Sequence, residues 1–205
     1  LRCILRKVKQ KLNLLLQKGK NNLIKEPQKK KEIGIVIKQD ILEKQAKTVY
    51  LGIGSNLGNR IKNIEDAKLR LFKNNINILK SSSYYETLSW PNRNHPKFYN
   101  IVLEVITKLN ENDLLKICKK IEKSLGRKIS YRNAPRVCDI DILDYNRKSS
   151  KININLPHPR LHRRNFVLIP LFEINKKWRH PKTKQHIKSL IFSLSNRDIR
   201  SIKQI

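Results

Sequence analysis

From Thr48 onward the apolar positions change period several times, and each change marks an element. Val49 to Ile53 is a short apolar run that reads as a strand. Gly52, Gly54, Ser55, Asn56 and Gly58 close it in a turn where backbone N–H groups can approach a ligand. Helical spacing follows over residues 60–73, with Ile61, Ile64, Leu69 and Phe72 predicted to line the buried side and Asn59 placed to cap. Ile76 to Tyr85 predicts a second strand, and the loop L-S-W-P-N-R-N-H-P after it has the length of a binding loop or lid. Residues 98–107 alternate: Phe98, Asn100, Val102, Glu104 and Ile106 share one face, and Tyr99, Ile101, Leu103 and Val105 the other. Both faces are largely apolar, which predicts a central strand, on which Asn100 is either a hydrogen-bonded core amide or a reader of a planar heterocycle.

A helix is predicted from Asn112 or Asp113 to about Leu125, with Leu114, Leu115, Ile117, Cys118, Ile121 and Leu125 as its stripe and Gly126 as its stop. Glu122 sits near its C-terminal end, where the helix dipole disfavours an acid, so a ligand-binding role is an open reading. Val137, Ile140, Ile142 and Leu143 predict a buried strand, residues 144–155 a hairpin, residues 164–174 a short helix interrupted by Pro170, and residues 184–194 a last helix before a basic tail. Ahead of Thr48, residues 1–47 read as a basic extension or linker, open to disorder, with an amphipathic stretch at Leu5, Val8, Leu12, Leu15 and Leu16. The domain proper is residues 48–205.

The strand at 137–143 carries the chemistry. Asp139 and Asp141 project to one strand face, with Cα atoms about 6.6 Å apart, while Ile140 and Ile142 face a core. Two carboxylates side by side repel, and a cation relieves them; hard oxygen donors favour magnesium with phosphates. Arg127, Arg132 and Arg136 suit phosphate oxygens. The alternative for D-x-D taken alone is a solvated strand end with Asp–Arg ion pairs. Downstream, His158 lies between Pro157 and Pro159, with Arg160, Arg163 and Arg164 close by.

Composition alters this picture little. The chain has 46 Lys+Arg against 16 Asp+Glu, a net charge of +30, and such a field draws polyanions. Lysine, isoleucine and asparagine dominate and methionine is absent, a bias that AT-rich coding produces by itself, so no specific nucleic-acid partner is expected. A basic nucleic-acid-binding module on the same scaffold is the competing reading, but it would not want paired carboxylates among its basic groups. Cys3, Cys118 and Cys138 are far apart and lack metal-site spacing, which fits a reducing, cytoplasmic setting. No apolar run approaches a membrane span.

Several motifs together resemble one family. They are G-I-G-S-N-L-G at 52–58, Y-Y-E-T at 84–87, F-Y-N at 98–100, G-R at 126–127, A-P-R-V-C-D-I-D-I-L at 134–143 and L-P-H-P-R-L-H-R-R-N-F at 156–166. The chain is similar to the 6-hydroxymethyl-7,8-dihydropterin pyrophosphokinases of folate biosynthesis over residues 48–175. The resemblance implies an α+β ferredoxin-like sandwich, an antiparallel sheet with packed helices, and the β-α-β-β-α-β order above agrees. It implies an ATP-dependent diphosphokinase that moves the pyrophosphoryl group of ATP to the pterin hydroxymethyl and leaves AMP. Asp139 and Asp141 would hold two Mg2+ ions. Arg127 and Arg136 would act with them in catalysis, and Glu122, Arg127, Ile142, His158 and Arg164 would bind ATP. Gly54, Thr87, Leu88, Phe98, Asn100, Asp139 and Phe166 would bind the pterin, with the two phenyl rings on opposite sides of it. A monomer is expected, with ATP and the pterin as its only partners. Asn133 stands where the family often has an aromatic residue, and Pro159 where many members have tyrosine.

Overall fold

The computed structural model describes residues 46–89, 92–128, 130–131, 133–152 and 154–205. The amphipathic stretch and linker read in residues 1–45 lie outside the described residues, as do Trp90, Pro91 and Arg132. The first strand, β1, is Lys47–Ser55, followed by helix α1 at Arg60–Lys73 and strand β2 at Asn77–Ser81. Strands β3 (Tyr85–Thr87) and β4 (Phe98–Thr107) lead to helix α2 (Glu111–Ser124) and strand β5 (Asp139–Tyr145). A 3-10 turn at Leu161–Arg163 precedes α3 (Asn165–Ile174), α4 (Ile187–Phe192), α5 (Asn196–Arg200) and β6 (Lys203–Gln204).

The strands form one antiparallel sheet in the order β5-β1-β4-β3-β6, with β2 also paired to β4. The expected single strand over Ile76 to Tyr85 is therefore two. At the break, Ser82 donates its N–H to the Val102 carbonyl at 3.0 Å, and its hydroxyl accepts from the Val102 N–H at 3.0 Å. The side chain thus replaces a backbone acceptor, and the ladder continues although the strand bends. With β2 and β3 taken as one interrupted strand, the sheet has the ferredoxin-like order, as expected.

Each face of the sheet carries its own core. Val49, Leu51, Ile53, Ile101, Leu103, Val105, Ile140 and Ile142 pack under α1 and α2. Tyr50, Val102 and Leu143 pack under α3 and α4, against Val167, Leu168, Leu171, Ile187 and Leu190. The alternation read along 98–107 holds, and β4 is central. Leu143 reaches the second core by alternation from Asp139 and Asp141; a bulge there, with Leu51 facing Ile142 and Tyr50 facing Asp144, turns Asp144 to the same side, where it accepts from Trp178 Nε1 at 2.9 Å.

On α1 the predicted span and the Asn59 cap hold, the cap accepting from the Lys62 N–H at 3.0 Å. Its buried side agrees with the expected one at Ile64 alone. Ile64, Ala67 and Leu71 are buried, whereas Ile61, Leu69 and Phe72 are 46%, 52% and 62% exposed. Positions 64, 67 and 71 share a helix face, and small Ala67 lets the helix approach the sheet. Helix α2 starts at Glu111 with Asn110 as cap, slightly earlier than predicted, and stops where Gly126 takes φ +97°. Pro170 does not interrupt α3, which runs through it. The helix expected as the last, α4, is followed in the basic tail by α5 and the edge strand β6.

Candidate active site

Three adjacent strands supply the floor, on the face that α3 and α4 cover only in part. Phe98 and Asn100 of β4, Gly52 and Gly54 of β1, and Asp139 and Asp141 of β5 all point to this face, in register Asn100↔Gly54↔Asp139 and Val102↔Gly52↔Asp141. The glycines make the arrangement possible. A Cβ on Gly54 would lie 2.9 Å from Asn100 Oδ1 and 3.4 Å from the Phe98 ring. A Cβ on Gly52 would lie 3.4 Å from Leu143. Gly52, Gly54 and Ser55 thus lie within β1 and not in the expected turn, and the two glycines keep this middle strand bare between β4 and β5.

At the β5 side the acidic pair is fenced by guanidinium groups. Arg127 Nη1 donates to Asp139 Oδ1 at 2.6 Å, and Arg136 Nη1 donates to Asp139 Oδ2 at 3.0 Å. Arg164 Nη1 donates to Asp141 Oδ2 at 3.2 Å, with His158 Nε2 3.8 Å from the same oxygen. Burial alone would raise the Asp139 carboxyl, but the Arg136 and Arg127 charges outweigh it and hold it below the usual range. Burial lowers the His158 imidazole and Arg164 adds to this, against the opposing pull of Asp141. Arg136 Nε is buried with no hydrogen-bond partner among the described residues. A buried donor without an acceptor costs about 1–3 kcal/mol, so an anionic oxygen at this point would be favourable.

This donor set fits magnesium with phosphates. Two carboxylates share a strand face, and their present partners are surface-accessible arginines that can turn to phosphate oxygens. Among the described residues no third His, Cys, Asp or Glu joins them, so phosphate and water would have to complete any metal shell.

Glu122 and Ile142 have buried side chains, set back from the rest of the cluster. Glu122 is 1% exposed and lies behind the cluster. Its Oε1 accepts from the Ile140 N–H at 2.7 Å and from Lys119 Nζ at 2.8 Å, and its Oε2 pairs with Arg127 Nη1 at 2.6 Å. It therefore ties α2 to the start of β5 and holds Arg127. The apparent conflict with the helix dipole is resolved by these cations. The Ile142 side chain is buried in the opposite core, under α1 and α2, so only its backbone can meet a ligand on the site face.

The second half of the site adjoins the first. Asn100 is 6% exposed and donates from Nδ2 to Thr87 Oγ1 at 2.9 Å; Thr87 lies opposite Phe98 across the β3–β4 ladder. Arg136 stands 5.9 Å from the Phe98 ring centroid, and Arg164 stands 5.3 Å from that of Phe166. Each ring thus touches the cationic cluster. Phe166 is in the first turn of α3, and Leu88, 37% exposed, opens the loop after β3. Of the residues assigned above by resemblance, Gly54, Phe98, Asn100, Asp139 and Asp141 lie on this face, Arg127, Arg136, His158 and Arg164 surround the acidic pair, and Thr87 adjoins Asn100.

One contributor went unrecognised in the sequence. Asn56 is 2% exposed and joins the two loops that flank the site. Its Nδ2 donates to the Pro96 carbonyl at 3.1 Å, and its Oδ1 accepts from the Arg136 N–H at 2.7 Å. Its own N–H donates to the Arg136 carbonyl at 3.1 Å. A turn asparagine carries no sequence mark that separates this bridging role from ordinary capping. Asn133, at the position of the family's frequent aromatic, takes φ 63°, a left-handed conformation that asparagine accepts more readily than most residues. Cys118 packs in the core, as its place on the α2 stripe predicts, and burial pushes the Cys118 and Cys138 thiols up to about 12.

Fold and site together define an α+β, ferredoxin-like protein with a polyphosphate-compatible cluster beside a phenyl ring and a buried amide on the same sheet face. The family model described as 7,8-dihydro-6-hydroxymethylpterin-pyrophosphokinase (HPPK) matches residues 50–176, and the chain belongs to that family. It is 40% identical over 155 residues to the folic acid synthesis protein fol1 of Pneumocystis carinii, covering 75% of this chain and 21% of that protein. It is 42% identical over 134 residues to FOL1 of Dictyostelium discoideum, of which it spans 20%. The 2-amino-4-hydroxy-6-hydroxymethyldihydropteridine pyrophosphokinase of Aquifex aeolicus is 41% identical over 144 residues, which is 69% of this chain and 88% of that protein. The chain thus spans about a fifth of the first two relatives and most of the third. Among solved structures, the wild-type Plasmodium falciparum HPPK-DHPS with pterin and p-hydroxybenzoate aligns with a TM-score of 0.62 at 17% identity. That alignment covers 80% of this chain and 48% of the other, and it is a likeness of fold.

Proposed function

We propose that the chain transfers the pyrophosphoryl group of ATP to the hydroxymethyl group of 6-hydroxymethyl-7,8-dihydropterin. The observation that carries this reading is the shared floor. The acidic pair with its arginines and the Phe98–Asn100 pair lie on one face of the sheet, with Gly54 between them. A polyphosphate held at one half and a flat ring at the other would bring a hydroxymethyl beside the phosphates. The family match and the Aquifex relative's name supply the chemical identity of the two ligands.

In the proposed reaction the hydroxymethyl oxygen bonds to the β-phosphorus and the bond from that phosphorus to the α,β-bridging oxygen breaks. AMP departs with the bridging oxygen, and the hydroxyl proton goes to solvent. Such a transfer needs alignment and charge neutralisation more than covalent help. Asp139 and Asp141 would hold magnesium, which would neutralise phosphate charge when bound. Arg127 and Arg136 flank Asp139, so both are placed to meet the charge that accumulates on the transferred group. Arg164 and His158 do the same from the Asp141 side. Phe98 and Phe166 would cover the ring, while Asn100 Oδ1, with Thr87 and the backbone at Leu88 and Gly54, would read its edge.

All of these side chains come from one chain, so a monomer suffices, and the reading involves neither nucleic acid nor membrane. No helix among the described residues is long and apolar enough to cross a membrane. A cytoplasmic setting goes with the reading, although the Arabidopsis thaliana and Pisum sativum relatives include folate synthesis bifunctional proteins named mitochondrial. The test is AMP formation from ATP in the presence and absence of the pterin. Pterin-independent turnover, or none with both substrates and magnesium, would refute it.

A further inference from the structure

The last ten residues lie beyond the family match, which ends at 176, yet they touch α3 beside Phe166 and β3 beside Thr87, the two sides of the proposed ring site. At one wall, Asn165 opens α3 immediately before Phe166. Its Nδ2 donates to the Asp198 carbonyl at 2.6 Å and to Ser201 Oγ at 3.1 Å, while its Oδ1 accepts from the Phe166 N–H at 2.7 Å. At the other wall, β6 pairs with β3 in the register Tyr85↔Gln204 and Glu86↔Lys203. Gln204 Nε2 donates to Ser83 Oγ at 2.9 Å, and the Ile205 N–H donates to the Tyr84 carbonyl at 3.0 Å. The next residue along β3 is Thr87, the hydrogen-bond partner of Asn100.

Only Ile202 separates Ser201 from Lys203, and two extended residues span at most about 7 Å. The segment is therefore too short to leave slack between its two attachments. Its α5 turn is itself closed, with Ser201 Oγ donating to the Asp198 carbonyl at 2.8 Å and Ser195 capping the first turn.

We infer that residues 196–205 are a strap that fixes the separation between the Phe166 wall and the Thr87–Leu88 wall, and so sets the affinity of the ring pocket for the pterin. Among the described residues the strap makes no hydrogen bond to Asp139, Asp141, Arg127, Arg136 or Arg164, so its effect falls on the ring half. The inference rests on the function proposed above. Asn165 is a positioning residue in this scheme, acting through Phe166.

The test uses the full chain, a variant lacking residues 203–205, Asn165→Ala, and the two changes combined. Calorimetric titration with 6-hydroxymethylpterin, and separately with a non-hydrolysable ATP analogue plus magnesium, reads each half-site. Each single change is expected to weaken pterin binding about fivefold, the scale of one lost hydrogen-bonded attachment, while the analogue stays within about twofold. Because both changes release the same strap, the combined variant should bind pterin within about twofold of the weaker single variant. Unchanged pterin affinity in both single variants, equal losses for both ligands, or fully additive losses would overturn the strap. If the truncated chain does not fold, Asn165→Ala in the intact chain decides the matter by the same ligand selectivity. An unaltered chain that binds the analogue but no pterin would overturn the proposed function, and the strap with it.

Discussion

Replacing Glu122 by glutamine asks whether this buried acid supports the site or belongs to it. The side chain is 1% exposed, and its two oxygens serve the Ile140 N–H, Lys119 and Arg127. Glutamine keeps the shape and one acceptor for the Ile140 N–H, but it cannot pair with Arg127. Charge-assisted hydrogen bonds contribute about 1.5–3 kcal/mol, and Arg127 retains Asp139 as a partner, so about 2 kcal/mol is the expected loss. For a chain of this size that corresponds to a fall in Tm of about 4–8 °C. Arg127 then has one anchor instead of two, and kcat is expected to drop about tenfold, since misplacement of a positioned group is costly. KM for ATP should change little. Thermal unfolding and steady-state AMP formation are the two measurements. A variant with unchanged Tm and a KM for ATP raised about tenfold would show that Glu122 meets the nucleotide directly, and would refute the supporting role.

Asp139→Ala and Asp141→Ala should each abolish transfer while leaving the folded circular-dichroism spectrum intact, because both face the site rather than a core; normal turnover of either at ordinary magnesium would contradict that. Gly54→Ala should weaken pterin binding as much as Asn100→Ala does, about tenfold, because its Cβ would fall 2.9 Å from Asn100 Oδ1 and dislodge that side chain. Calorimetry with the ATP analogue should detect no comparable change in either variant, and equal losses for both ligands would tell against separate half-sites. Stability should depend on pH through His180 and His162, which stack edge-to-face at 5.9 Å. Burial lowers both imidazoles, with His162 and Lys182 adding to the effect at His180 and Arg163 at His162. Their folded pKa values thus lie below the unfolded value of about 6.5, so the unfolded chain takes up protons first, and stability is full above that pH and declines as pH falls below it. Urea midpoints measured between pH 7.5 and 5.5 should fall in that direction, and a flat profile would refute the assignment.

Much of this molecule was legible because its signals are local. The span of α1, its Asn59 cap, the Gly126 stop and the two-faced β4 follow from spacing and capping within a few residues. The acidic pair was legible because a strand period of two puts alternate residues on one face. What sequence reasoning missed depends on partners distant in the chain. The buried side of α1 is set by how closely Ala67 lets the helix approach the sheet, and the apolar pattern alone favoured Leu69 and Phe72, which are exposed. The break between β2 and β3 depends on the Ser82 hydroxyl meeting Val102, twenty residues on. Glu122 announced itself only as an acid at the wrong end of a helix; its burial beneath β5 needs the tertiary structure. Likewise Asn56 reaches Pro96 and Arg136, and β6 finds an edge strand more than a hundred residues earlier, contacts that no local pattern encodes.

The most direct test of the central claim is a single-turnover experiment with ATP labelled in the β-phosphate, run with 6-hydroxymethyl-7,8-dihydropterin and magnesium. The shared floor of β5, β1 and β4 predicts that the label appears in a pterin diphosphate and that AMP forms in equal amount, with no ADP. Formation of ADP with a pterin monophosphate, or loss of the label to free pyrophosphate, would contradict it.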